Sequence, residues 1–305
     1  MSKKPLLICV VGATAIGKTT LSIALAKAFD TEIISADSRQ FYTSMNIGTA
    51  VPSNQELAAA PHHFIQHKSI FDTYSVGDFE REALLKLDTL FSEKSTAILV
   101  GGSGLYVDAV VNGLDHFPNI AKEIREALNT QLENNGLQLL QQELMRVDPL
   151  YYKSMDTENP RRVIRALEIY RATGKPYSSF LNVKAANRNF KTLYIGLTAE
   201  RPIVYERINK RVDIMLENGL LEEVKKLYPN RDLNALQTVA YRELFQYFDG
   251  TLSLEKAVEE IKKNTRRFAK RQGTWFRKNQ HIHWFDYTTN SEAIIEFIKE
   301  KNAQN

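Results

Sequence analysis

A parallel α/β sheet carrying a helical insertion is the fold class this sequence predicts, and three observations lead to it. Short, unbroken apolar runs recur and stop abruptly at glycine or at a polar loop, as strands buried on both faces do. Helical patterns separate those runs, which calls for parallel pairing. From about Ile120 to Asn187 the alternation stops and only helical patterns remain. The 305 residues are 43% hydrophobic and 25% charged, which is enough apolar material for a buried core and excludes disorder over most of the chain. The length suits about one to two domains. No apolar run approaches the ~20 residues of a membrane helix.

Leu6–Val11 is wholly apolar, ends at Gly12 and reads as the first buried strand. Thr19–Phe29 then repeats Leu21, Ala24, Leu25 and Ala28 at helical spacing. Glu32–Ala36 is a second strand, ending at Asp37. Phe79–Phe91 is an amphipathic helix, and Thr96–Val100 a third strand stopped by Gly101 and Gly102. Inside the insertion, helices are expected over 121–134, 137–147 and 160–173. Asn159 is a good N-cap before Pro160 at the first helical position, and Gly174 is a plausible stop. Leu193–Leu197 is a fourth strand. Helices over 204–216, 220–227 and 254–278, a last strand over 281–286 and a terminal helix complete the pattern. The expected organisation is a core of residues 1–119 and 188–305 with residues 120–187 inserted.

Lys plus Arg is 40 and Asp plus Glu is 36, a net charge of only +4. Its distribution is uneven. Between Ile261 and Gln280 lie Lys262, Lys263, Arg266, Arg267, Lys270, Arg271, Arg277 and Lys278, and no acid. Lys262, Arg266 and Lys270 track one line of a helix, with Lys263, Arg267 and Arg271 beside it. Such a double stripe cannot neutralise itself through i,i+4 pairs. It reads as a surface for nucleic acid rather than a plain solvated face, Arg266 and Lys270 included. The single cysteine, Cys9, permits no intramolecular disulfide, so nothing favours an oxidising compartment. The basic start, Met1 to Lys4, precedes an apolar run too short for a signal peptide. The expectation is a cytoplasmic protein without a targeting segment or membrane anchor.

Gly12-Ala13-Thr14-Ala15-Ile16-Gly17-Lys18-Thr19 fits G-x-x-x-x-G-K-[ST] between a predicted strand and a predicted helix. By composition alone, roughly one random chain in a hundred of this length carries such a match. The glycines let backbone N–H groups turn toward phosphate oxygens, and the helix start adds positive partial charge. Lys18 supplies a mobile cation, and the Thr19 hydroxyl suits Mg²⁺. The expected core is therefore P-loop NTPase-like. The loop reports a bound phosphate chain, not hydrolysis. A nucleotidase usually carries a Mg²⁺-holding acid after a later strand, whereas here Val100 is followed by Gly101-Gly102-Ser103-Gly104. Asp37 is the acid at an early strand end, either a site residue or the cap of a turn.

Ligand clefts in open α/β sheets lie at the carboxyl ends of strands. The Gly12 loop, the Gly101–Gly104 loop and the polar, aromatic Asp37-Ser38-Arg39-Gln40-Phe41-Tyr42 segment should therefore face one crevice. Arg39 and Gln40 suit a base edge and Phe41 a stacking contact, unless this is a surface loop with one buried aromatic. Arg207 and Arg211 share a helical face. They either close over a diphosphate or pair with Glu206 or Asp213 on a solvated helix. Arg161, Arg162 and Arg165 crowd the start of the helix at Pro160, where a basic solvated face is the usual reading. Pro61-His62-His63 lacks partners at metal-ligand spacing and reads as structural or substrate-contacting. Trp275 and Trp284 read as core residues.

Taken together, the Gly12–Thr20 loop, Ile34–Tyr42, Asn46–Ala50, Pro61–His63, Val100–Tyr106, Pro160–Glu168 and Ala269–Arg277 closely resemble the tRNA dimethylallyltransferases, isopentenyltransferases that modify the adenine 3′ of the anticodon. The likeness runs in order from about Ile8 to Asp286. The phosphate loop is shared by many families, whereas the Asp37–Gln40 and Gly101–Tyr106 segments together are far more specific. The resemblance implies dimethylallyl diphosphate in the phosphate loop and a flipped adenine in the crevice. It implies that Asp37 is the general base on N6 and that Ser103, where the family usually has Thr, lies near the bridging oxygen of the leaving group. It implies tRNA contacts, at the anticodon stem-loop, from Asp37, Ser38, Arg39, Gln40 and Ser103. Further contacts are implied for Arg161, Arg162, Val163, Ile164 and Arg165, for Arg125 by a weaker alignment, and for Gln237, Thr238, Val239, Ala240, Tyr241 and Arg242. Ala240 replaces a usual Gly at a turn suited to φ > 0.

The chemistry is consistent with that implication. Adenine N6 is a poor nucleophile, and a carboxylate that takes its proton as the C–N bond forms lowers the barrier. Departing diphosphate gathers negative charge that loop amides, Lys18, Mg²⁺ and nearby arginines stabilise. No water need be activated, which suits the missing acid after Val100. The chain is expected to act as a monomer. Competing readings are transfer to a free adenine nucleotide, which leaves the insertion and basic helix little to hold, a small-molecule ATP kinase, and an RNA-binding protein without catalysis.

Overall fold

The computed structural model describes residues 4–181 and 187–304. Met1–Lys3, part of the basic start behind the targeting expectation, and residues 182–186 of the expected insertion lie outside them. The elements are β1 Leu6–Gly12, α1 Lys18–Ala28, β2 Ile33–Ser35, α2 Asn54–Ala59, β3 His62–His63, α3 Val76–Glu93, β4 Thr96–Gly101 and α4 Gly104–Asn112. Then come α5 Lys122–Asn135, α6 Leu137–Val147, α7 Pro149–Ser154 and α8 Pro160–Thr173. The chain continues through β5 Lys191–Thr198, α9 Arg201–Glu217, α10 Leu220–Leu227, α11 Tyr241–Phe248, α12 Leu254–Phe276, β6 Ile282–Asp286 and α13 Ser291–Ala303.

All the strands are parallel, in the order β3-β2-β4-β1-β5-β6. β1 is central and every residue in it is buried. Its side chains alternate between two cores: Leu7, Cys9 and Val11 belong to one, Leu6, Ile8 and Val10 to the other. A strand covered on both faces needs no polar residue, which explains the unbroken apolar run. Because the strands are parallel, the loops after β1, β2 and β4 leave from one edge of the sheet. The register ends there with Val11 opposite Gly101 and the Ala36 N–H donating to Val100 O at 2.7 Å.

Several elements lie beyond the sequence expectation. The short α2 is announced by a reciprocal Ser53–Glu56 cap, an S-x-x-E signal legible in the sequence. The same device at Ser75 and Asp78 starts α3 earlier than Phe79. α4 follows the glycines of the Gly101–Gly104 loop directly, and β3 is only two residues long. Phe41 does not stack in a cleft: it is fully buried among Tyr74, Phe79 and Tyr106. Trp275 and Trp284 are not core residues, being 39% and 37% exposed. The Trp275 ring lies over Gly104 while its Nε1–H donates to Asp108, so one edge stays polar and wet.

The chain divides into two compact units, 1–112 with 188–305, and 113–187. The second begins seven residues before the expected 120, since Phe117 in that stretch stacks on Tyr177. Its core is built from Leu128, Leu140, Leu144, Val163, Ile164 and Leu167, projected from α5, α6 and α8 at helical spacing. Among the described residues no helix is long and apolar enough to cross a membrane.

Candidate active site

The phosphate loop closes β1 onto α1. Ala15 and Gly17 adopt positive φ, 63° and 107°, which turns successive amides toward the loop's interior. Lys18 Nζ folds back onto the loop, donating to Gly12 O at 3.0 Å and Ala13 O at 2.7 Å. Burial lowers its pKa to about 8, with the Arg211 charge adding to the effect and Asp37 opposing it. The paired arginines of α9 come to this loop rather than to Glu206 or Asp213. Arg207 Nε donates to Ala15 O at 2.7 Å, and Arg211 Nη1 lies 3.4 Å from Thr14 Oγ1.

Thr14, Lys18, Thr19, Asp37, Arg207 and Arg211 line one cavity of about 300 Å³. A second cavity, of about 320 Å³, contains Ser38, Arg39, Ser103, Gln237–Ala240 and Arg242, with an apolar wall that includes Val212, Met215 and Phe268. Thr14, Asp37, Thr49, Ala50 and Arg211 belong to both. Asp37 thus stands where a chamber lined by Lys18, Arg207 and Arg211 meets a chamber with polar and apolar walls. Burial raises its carboxyl above the ordinary aspartate range, while the Arg39 N–H (3.2 Å from Oδ1) and the charges of Lys18, Arg39 and Arg211 pull it back.

The second glycine loop closes against this site from β4. The Ser103 hydroxyl receives the Ser38 N–H at 3.3 Å and lies 3.2 Å from Ser38 Oγ. Gly102 and Gly104 are glycines because a Cβ on either would lie 2.2 Å from the Gln272 amide or the Trp275 ring. The Gln40 side chain lines the first cavity and is hydrogen-bonded within the fold. Its Nε2–H donates to Thr49 O and Ala50 O, and its Oε1 accepts from Ser35. Arg39 reaches the 234–236 turn through Ala235 O at 3.0 Å.

The 237–242 segment is only partly a contact surface. Arg242 is exposed and Gln237–Val239 are partly so. Ala240 and Tyr241 are buried, and Tyr241 donates to Glu223 at 2.7 Å. Glu223 also accepts the N–H groups of Asn46, Ile47 and Gly48. It thereby holds the Asn46–Ala50 loop that walls the second cavity. Sequence reasoning missed Glu223, which nothing local marks, and assigned no role to Gln272, although it lies within the Ala269–Arg277 motif.

The remaining basic candidates sit on two surfaces. In the 113–187 unit, Arg161 and Arg162 are exposed. Arg125 and Arg165 both ion-pair at 2.9 Å with buried Glu168, which presets two guanidinium groups. Val163 and Ile164 point into that unit's core instead, 0% and 5% exposed, because they occupy the inward positions of α8. On α12 the stripe is partly neutralised, contrary to expectation. Lys262 pairs with Asp213 of α9 at 2.5 Å and Lys263 with Glu260 one turn earlier. Arg266 donates to Asn209, and Lys270 is exposed. The two histidines of Pro61–His63 go separate ways, His62 to Ala60 O and His63 to Glu32. Among the described residues no three His, Cys, Asp or Glu side chains gather to hold a metal.

A parallel sheet with a glycine-rich strand-to-helix phosphate loop, and the buried Asp37 carboxylate beside it, defines a P-loop-type α/β protein suited to group transfer from a phosphorylated donor. A model of the IPP transferase family matches residues 40–279. The chain belongs to that family and is a transferase. It is 60% identical over 295 residues to a tRNA dimethylallyltransferase of Christiangramia forsetii, covering 97% of this chain and 98% of that one. It is 58% identical over 301 residues to one of Flavobacterium psychrophilum, covering 97% and 98%. Among solved structures, the tRNA isopentenylpyrophosphate transferase of Bacillus halodurans aligns with a TM-score of 0.74 at 38% identity, over 99% of this chain and 98% of that one. A eukaryotic dimethylallyltransferase acting on tRNA aligns with a TM-score of 0.83 at 28% identity, over 97% and 80%.

Proposed function

We propose that this protein transfers a dimethylallyl group from dimethylallyl diphosphate to N6 of the adenine 3′ to the anticodon in tRNA, giving N6-(dimethylallyl)adenosine. The observation that carries this reading is the position of Asp37 in the wall common to the two cavities. The diphosphate rests against the loop amides, Lys18 and Arg211. The adenine enters the second cavity, with the five-carbon chain against Val212, Met215 and Phe268. The bond from the allylic carbon to the bridging oxygen breaks as the C–N6 bond forms. Asp37 takes the N6 proton, and the diphosphate leaves with its charge held by Lys18, Arg211 and the loop.

The residues present fit Mg²⁺. Thr19 lines the first cavity, and a hydroxyl at this position of a phosphate loop would hold the ion, with phosphate and water filling the rest of its shell. When bound beside Thr19 it neutralises diphosphate charge. Arg125, Arg161, Arg162 and Arg165 of the 113–187 unit, and Arg266 and Lys270 of α12, supply phosphate contacts to the anticodon arm. We read the protein as a cytoplasmic monomer.

The test is mass analysis of an anticodon stem-loop RNA after incubation with dimethylallyl diphosphate and Mg²⁺. The expected product is heavier by one C5H8 unit on the adenine 3′ to the anticodon. A parallel reaction with AMP separates the free-nucleotide reading. Prenylation of AMP with the RNA left untouched would displace tRNA as the acceptor.

A further inference from the structure

We infer that Gln272 is a positioning residue for this transfer, setting the spacing between the phosphate loop and the loop that carries Ser103. The inference rests on the reaction proposed above. The pairing of β1 with β4 ends at Val11 opposite Gly101. Beyond that register the two loops part, and the sheet no longer sets the distance between them. Gln272 bridges the gap. Its Oε1 accepts the Thr14 N–H at 2.9 Å, and its Nε2–H donates to Gly102 O at 3.0 Å.

Gln272 is 5% exposed and its amide lies against Gly102, where a Cβ would sit 2.2 Å from Nε2. Ala269, Gln272 and Phe276 share the buried face of α12, so the tie is anchored in the core. A carboxamide offers an acceptor and a donor at one tip, as these two main-chain partners require. Thr14 lies in the wall common to both cavities, and Ser103 directly follows Gly102. A change in the tie therefore moves the diphosphate seat relative to the hydroxyl beside its leaving oxygen. Neither group loses its chemistry, so the effect falls on turnover rather than on RNA affinity.

Two substitutions test this. Gln272→Leu keeps the volume and removes both bonds. Its kcat should fall about 100-fold, the scale of a misplacement of about 1 Å, with the KM for RNA within about threefold. Gln272→Glu offers Thr14 an acceptor but turns a second acceptor toward Gly102 O. Protonated, it regains the donor; burial lifts a carboxyl pKa, and Lys18, whose Nζ lies beside the same Gly102, pulls it back. Its kcat relative to the parent should rise at least about fivefold between about pH 8 and about pH 6, with an unchanged circular dichroism spectrum. A folded Gln272→Leu protein with kcat within about threefold of the parent overturns the inference, and so does a Gln272→Glu ratio that stays flat with pH. The parent keeps the two readings apart: an inactive parent sinks the transfer reaction and this inference with it, whereas an active parent with unaffected variants sinks only the role of Gln272.

Discussion

The hydroxyl oxygens of Ser38 and Ser103 lie 3.2 Å apart, and the Ser38 N–H also donates to Ser103 Oγ. The loop after β2 therefore orients the one hydroxyl that the loop after β4 brings to the site. With an N–H already on its oxygen, Ser103 has its own proton to give, and in the proposed reaction the bridging oxygen of the diphosphate is the acceptor it would meet. Ser103→Ala should lower the single-turnover transfer rate about 100- to 1,000-fold, the scale of losing one donor to a developing oxyanion. Ser103→Thr keeps the hydroxyl and stiffens its rotamer, so its rate should match or exceed the parent's.

The raised carboxyl of Asp37 has a direct kinetic consequence. A base works ionised, so kcat/KM falls as pH drops through its pKa. The acid limb of the pH profile should lie above the ordinary aspartate value of about 3.9. Arg211 is one of the charges that pull this carboxyl down. Arg211→Gln should move the acid limb to still higher pH while weakening diphosphate binding. An unmoved limb would separate Asp37 from the base role.

Lys18 makes the opposite prediction on the alkaline side. Its lowered pKa, about 8, leaves the free protein with a partly neutral lysine just above that pH. Diphosphate favours the charged form, so binding raises the lysine pKa and takes up protons. Affinity should fall as pH rises through about 8. Calorimetry in buffers of different ionisation enthalpy should register uptake of a fraction of a proton per diphosphate. In Lys18→Arg that uptake should vanish, since arginine stays charged.

Ala240 sits at φ 77° and ψ −47°, where its Cβ crowds the backbone. Its N–H donates to Glu243 at 2.8 Å, which holds the turn ahead of α11 in place. This is the rare γ-turn region of positive φ, whose strain costs a non-glycine residue about 1–3 kcal/mol. Removing the methyl also frees the unfolded chain, which offsets about 0.4–1 kcal/mol. Ala240→Gly should therefore raise stability by about 0.5–2 kcal/mol, read as a higher urea midpoint at unchanged slope. A lower midpoint would mean that the buried methyl outweighs the strain.

The phosphate loop, the central strands and the helical character of the insertion were legible along the chain. Each depends on neighbours within one turn or one strand: glycine spacing, apolar runs, and proline and cap residues. Asp37, Ser103 and the Arg207–Arg211 pair were legible for a related reason, since they lie just past strand ends or on one helical turn. α2 was legible in principle through Ser53 and Glu56.

What only the tertiary structure decided is which side chains the site can use. Phe41, Val163, Ile164 and Tyr241 sit in stretches that look like contact surface, yet they are buried. Lys262 looks unpaired until α9 lays Asp213 beside it. Gln272 bonds Thr14 from 258 residues away, and Glu223 gathers the N–H groups of a loop more than 170 residues earlier. Local sequence sets backbone conformation because its forces act within a few residues. Burial and partnership arise only when distant segments meet, and no local pattern encodes which ones do.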